Sequence, residues 1–101
     1  MNFDMIKQAQ QLKSKLDKAQ KELAKTVVEA ESGKGAVKVT VNGQQKILSI
    51  KISPEVIDPK NAKKLEDLIM KALTDAIAKS QKVASSQLKG LTGGLKIPGL
   101  F

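Results

Sequence analysis

Four groupings of side chains in this sequence could do chemistry: two carboxylate pairs, one glycine-lysine stretch, and the lysines taken as a set. Glu29 and Glu31 stand two apart, as strand neighbours sharing a face would, and Glu66 and Asp67 are adjacent. General acid–base work needs such a pair to be joined by a base, a metal or a third orienting group. The 101 residues include no His and no Cys, which removes imidazole bases, thiol nucleophiles, disulfides and the usual zinc ligands together. Both pairs are therefore read as surface charges, and the chain as a non-enzyme that uses no cofactor and no metal. Gly33-Lys34-Gly35 has the look of a phosphate loop. It lacks the GxxxxGK[ST] spacing, and Lys38 occupies the place where GxGxxG requires its third glycine, so it reads as a connecting turn.

The lysines carry more information. All 18 basic residues are Lys, the formal net charge is +8, and its placement is uneven. Residues 1–25 hold six Lys against three acids, residues 59–101 hold eight against three, and residues 26–58 hold four against four. Lysine is a flexible point charge that meets phosphates well, whereas the fork that most often reads guanine belongs to Arg. A partner would thus be recognised by charge and shape, and the phosphate backbone of a nucleic acid fits that description. The candidate contacts are Lys7, Lys18 and Lys25 on the first flank and Lys64, Lys79, Lys82 and Lys89 on the second. Asp67 and Asp75 stand four residues before Lys71 and Lys79, a spacing that favours local pairs. No acidic residue follows Asp75.

The elements that must hold these lysines centre on Ala36 to Ile52. Val37, Val39 and Val41 alternate with polar residues, Asn42-Gly43 interrupts, and Leu48, Ile50 and Ile52 alternate again, a hairpin signature with Asn-Gly suited to positive φ in a tight turn. A loop of two or four residues would keep both apolar sets on one face; a three-residue loop would turn one of them to water. A lone hairpin is marginal, so the flanks must cover it. Asp4 to about Ala24 has Met5, Ala9, Leu12, Leu16, Ala19 and Leu23 at alternating steps of four and three, a heptad seam that wants a helical partner, either the second helix or another subunit. Lys7, Lys18, Lys21 and Lys25 fall opposite that seam. Residues 26–31 read as a first strand.

Asp58-Pro59 reads as the N-cap and first position of a second helix. Its stripe is Ala62, Leu65, Leu68, Ile69, Ala72, Leu73 and Ala76, continuing through Ser80, Val83 and Ala84. Lys60, Lys64, Lys71, Lys82 and Lys89 form a column on the other side. At about 28 residues and roughly 40 Å, half of this helix should overhang a hairpin of about 20 Å and rest on another subunit or stand in solvent. From Gly90 the sequence loses its period and reads as a flexible tail whose Leu95, Ile97, Leu100 and Phe101 could still dock. The domain is thus 1–89 and the tail 90–101. Its fold class is α+β, and its core and dimer residues are Leu12, Leu16, Val37, Val39, Val41, Leu48, Ile50, Leu65 and Ile69. Two Phe, no Trp and no Tyr make a light core, so a second copy is expected to complete it.

With no signal peptide and no long apolar run, the chain is read as cytoplasmic. A Lys-rich amphipathic helix could lie on an anionic membrane, but the seam contains two Ala and no aromatic anchor apart from Phe3, so no membrane partner is expected. The alternative from another class is a non-catalytic interaction or assembly module. It would use the first helix's seam and the tail, its charge serving solubility.

Several runs resemble the YbaB/EbfC family of bacterial nucleoid-associated proteins: Lys7-Gln8-Ala9-Gln10-Gln11, then residues 31–43 (ESGKGAVKVTVNG), then Asp58-Pro59 and Leu65-Glu66-Asp67-Leu68-Ile69. The match covers essentially the whole chain in order. It implies an α-β-β-β-α fold, a homodimer whose helices protrude like tweezers, DNA binding through the helices and their ends, and a nucleoid location. Neighbouring genes in the family suggest recombination or replication proteins as partners. Lys34 stands where the family commonly has glycine, and the lack of Arg departs from relatives with base-specific binding.

Overall fold

The computed structural model describes residues 3–92. Element order is α1 (Phe3–Lys25), β1 (Val27–Ser32), β2 (Val37–Asn42), β3 (Ile47–Ile52), a 3-10 turn at Pro54–Val56 and α2 (Ala62–Thr92). The three strands form an antiparallel sheet in the order β1-β2-β3, which is the expected α-β-β-β-α arrangement. Alternation dictates its sidedness: Val37, Val39 and Val41 point to one face and are fully buried, joined by Ala30 of β1. Ala72 and Ala76 of α2 close over them, with Val28, Ile52, Leu65, Leu68, Ile69 and Leu73 around the rim. The small alanines let the helix backbone approach the valines, which is how a chain almost without aromatic residues still packs a dry core.

The hairpin solves its parity problem in a way that periodicity does not show. Asn42 N–H donates to Lys46 O at 2.9 Å, leaving the three-residue loop Gly43 to Gln45. Ile47 then opposes Val41, and continued alternation would carry Ser49 and Lys51 onto the core face. A bulge intervenes: Thr40 pairs with Ser49 and Val39 with Ile50, so Leu48 is the extra residue. The core-facing set on β3 is therefore Ile47, Ile50 and Ile52. Leu48, expected in that set, sits in the bulge and is 47% exposed.

Positive φ is found at Gly33, Lys34, Gly35 and Gln45, but not at Asn42 or Gly43. The Ser32–Val37 connection is the turn expected from Gly33-Lys34-Gly35, with Lys34 bearing a left-handed conformation that glycine would adopt more readily. A buried hydroxyl fastens this end of the sheet, Ser32 Oγ donating to Leu68 O at 2.6 Å.

The start of α2 is corrected. Asp58 makes its own local turn, its Oδ1 accepting from Lys60 N–H at 2.9 Å. The cap belongs to Asn61, whose Oδ1 accepts from Lys64 N–H at 3.4 Å. Lys60 precedes the helix and leaves the lysine column. At the other end α2 continues through Gly90 to Thr92, past the expected start of the tail; residues 93–101 lie outside the described residues.

Candidate nucleic-acid interface

The sheet supports α2 from about Leu65 to Val83, and roughly the last third of the helix runs past it. That overhang is smaller than the expected half, and its partner is α1, which packs against it. Gly90 shares a shallow groove with Lys15, Lys18, Ala19 and Glu22, so the two helices run antiparallel here. Ala19 and Leu23 of the seam are buried, Leu12 and Leu16 half-buried, and residues 3–11 all exposed, with Met5 at 66%. The helices thus form a two-helix arm, and the molecule measures 69 × 22 × 18 Å.

The base of the arm is built from the β2–β3 loop. Gly43 N–H donates to Leu23 O at 2.8 Å and Thr26 O at 2.9 Å. Asn42 Nδ2 donates to Ala24 O at 3.3 Å and Gln44 Nε2 to Gln20 O at 3.0 Å. The last four carbonyls of a helix lack i→i+4 donors, and here the hairpin supplies donors to two of them, Leu23 O and Ala24 O. On the other side Ser80 Oγ donates to Asn42 O at 2.6 Å and accepts from Gln45 Nε2 at 3.1 Å.

Charge follows the arm. Its α1 portion carries Lys7, Lys13, Lys15, Lys18, Lys21 and Lys25 against Asp4, Asp17 and Glu22, and α2 beyond Asp75 adds Lys79, Lys82 and Lys89 with no acid. Lys7, Lys18, Lys25, Lys64 and Lys82 are exposed and form no ion pair with a described residue. Lys79 differs: its Nζ donates to Glu29 O at 2.9 Å, on the edge strand β1, in place of the expected pairing with Asp75. Asp67 likewise pairs backwards with Lys63 at 3.4 Å, not forwards with Lys71. Lys64 and Lys71 sit on the part of α2 that lies over the sheet, away from the arm. The carboxylates singled out for chemistry are ordinary: Glu29 pairs with Lys38 at 3.5 Å, both half-exposed. The described residues contain no cluster of metal-ligating side chains and no helix long and apolar enough to cross a membrane.

By spacing, Ser80 falls in the apolar stripe, and no pattern in the sequence gives Gln44 or Gln45 a role. The only hint was a serine at a stripe position, where an apolar residue would otherwise be expected.

The family model of the YbaB/EbfC DNA-binding family matches residues 1–95. A nucleoid-associated protein of Thermoanaerobacter pseudethanolicus is 43% identical over 98 residues, which cover 97% of this chain and 88% of that one. Another, from Chloroflexus aurantiacus, is 45% identical over 97 residues, 96% of this chain and 95% of its own. Among solved structures, the crystal structure of an uncharacterized protein from Helicobacter pylori superposes with a TM-score of 0.82 at 20% identity, covering 92% of this chain and 99% of that one, a likeness of fold. Matched along almost its full length in sequence, and built as two helices around a three-stranded antiparallel sheet, the chain belongs to the YbaB/EbfC DNA-binding family.

Proposed function

We propose that this chain is a non-catalytic, nucleoid-associated protein of the cytoplasm that binds double-stranded DNA by its phosphate backbone, with little regard to base sequence. The observation that carries the reading is where the charge lies: nine lysines against three acids on α1 and the part of α2 after Asp75, which make up the arm and its base, beside residues 26–58 with equal numbers of each. The contact set is Lys7, Lys18, Lys25, Lys82 and Lys89, with Lys79 at the arm's base; Lys64, at the other end of α2, lies away from the arm and outside this footprint. Each ammonium that replaces a condensed counterion adds to affinity and to its salt dependence. If about four to six phosphates are neutralised, log affinity falls against log salt with a slope near −4 to −5, alike on unrelated duplexes. Gel shifts on several duplexes at two ionic strengths test this; binding that ignores salt, or no binding at low salt, refutes it.

The reading includes a homodimer. Ile47 and Ile50 face the core side of the sheet yet stay 45% and 43% exposed, because α2 lies across β1 and β2 and stops short of β3. Leu48 adds to this patch on a sheet edge, and a second copy is the occupant that a light core calls for. Ile50→Asp is expected to shift the protein to monomer by light scattering and to weaken DNA binding by removing the second arm; a variant that stays dimeric would place the interface elsewhere. The assembly-module alternative draws support from one feature, the uncovered Met5 and Ala9 at the start of the α1 seam. Cross-linking to a protein in cells, with no retention on DNA, would favour it.

A further inference from the structure

The loop between β2 and β3 engages both helices at once. Through Gly43 N–H, Asn42 Nδ2 and Gln44 Nε2 it donates to Leu23, Ala24 and Gln20 of α1, and through Asn42 O, Gln45 N–H and Gln45 Nε2 it engages the hydroxyl of Ser80 on α2. Ser80 is fully buried, and its one hydroxyl donates once and accepts twice, the whole capacity of the group. Asn42, 4% exposed, is equally occupied: its Oδ1 accepts from Gln44 N–H at 2.9 Å and Lys46 N–H at 3.0 Å. Gln45 is held at φ 62°, the conformation that aims its side chain at Gly43 O and Ser80. So many bonds exceed what reversing a hairpin requires, since a two-residue turn would do that with none of them.

We infer that residues 42–45 and Ser80 form a clasp that sets the direction of α1 against α2, and that they are positioning residues for DNA contact. The inference rests on the arm being the DNA-binding surface. Besides seam packing and the clasp itself, α1 is held to the sheet at the Lys25-Thr26 connection, a covalent pivot where Thr26 N–H and its hydroxyl both donate to Glu22 O. Lysines on two helices meet several phosphates of one duplex together only if the helices keep a fixed relation. With the clasp loosened, α1 pivots, fewer phosphates are neutralised at once, and the salt slope falls.

The chain has no Cys, so labels can be placed cleanly at Gln10→Cys on α1 and Lys51→Cys on β3, both exposed positions. Electron–electron distance measurements use the full chain diluted into unlabelled protein, so that only distances within one chain are read. Ser80→Ala and Gln45→Ala are compared with Leu65→Ala, a control at the far end of α2 that also loses stability. All are held well below their unfolding midpoints, with the fold checked by circular dichroism. The unaltered clasp and the Leu65→Ala control are expected to give one narrow distance distribution; the two clasp variants are expected to broaden it and to reduce the magnitude of the salt slope by about one to two. A narrow distribution in folded clasp variants overturns the inference, and so does broadening with an unchanged slope. Salt-independent binding by the unaltered protein would refute the DNA reading itself, a result the distance distribution does not depend on.

Discussion

Reversing Lys18 and Lys82 together to Glu is expected to weaken binding to duplex DNA roughly a hundredfold at about 0.1 M salt, since each phosphate left without its ammonium takes about 0.9 from the salt slope and close to one log unit of affinity at that concentration. The two lysines sit on different helices of the arm, both exposed and both without an ion pair to a described residue. Repulsion of the new carboxylates from the backbone adds to the weakening, which should be equal on unrelated sequences because phosphates carry no base identity. The informative control changes net charge by the same amount elsewhere. Lys38 and Lys63 already share their charge with Glu29 and Asp67, and they lie on the sheet and at the start of α2. Lys38→Glu with Lys63→Glu is therefore expected to cost less than about threefold, as surface pairs away from the bound duplex contribute little. Equal weakening in the two double variants would mean that net charge alone governs binding and that the arm holds no footprint.

The large features of this architecture were legible because they follow from periodicity and counting. Val37, Val39 and Val41 announce a strand with one dry face, the heptad run from Met5 to Leu23 announces a helix, and the imbalance of lysines over acids can be counted without coordinates. What escaped depends on choices that only tertiary contact settles. Leu48 fits an alternating pattern perfectly well, and it loses its core place because a three-residue loop and a bulge compensate each other's parity. Asp58-Pro59 is a good helix opening by local chemistry, but Asp58 satisfies its own turn and Asn61 takes the cap. The α1 seam specifies a helical partner without saying which, so the arm, α1 against the end of α2, could be stated only as one of two options. Individual lysines were the least legible of all: the flexible stem of Lys79 reaches Glu29 O across the sheet edge instead of its helical neighbour Asp75, an outcome that spacing alone does not decide.

Gly43 shows the same limit most clearly, and it carries the largest expected effect on stability. Asn-Gly in a hairpin suggests a need for positive φ, yet Gly43 does not have it. The need is for space: a Cβ there would stand 2.8 Å from Leu23 Cδ2, 2.8 Å from Leu23 O and 3.1 Å from Leu23 Cα. The leucine is 2% exposed and its backbone belongs to a helix end, so neither can yield easily. Relief requires the loop to withdraw, which breaks the bonds from Gly43 N–H to Leu23 O and Thr26 O and leaves that buried N–H without its partners, while Leu23 O keeps only Thr26 N–H at 3.2 Å. Overpacking costs about 1–3 kcal/mol and an unsatisfied buried group about as much again. Gly43→Ala is therefore expected to destabilise by about 3 kcal/mol and lower Tm by roughly 15 °C, at about 4–8 °C per kcal/mol for a domain this size. The identical substitution at Gly90 should have the opposite sign. That glycine sits exposed in α2 with nothing within 4 Å of a new Cβ, so Gly90→Ala gains helix propensity, about 0.5–1 kcal/mol, and raises Tm by a few degrees. Thermal unfolding of both variants at one protein concentration, which holds any dimer contribution fixed, reads the contrast directly. A neutral Gly43→Ala would mean that the hairpin loop does not press against the end of α1, and the arm would then have to be held by its seam alone.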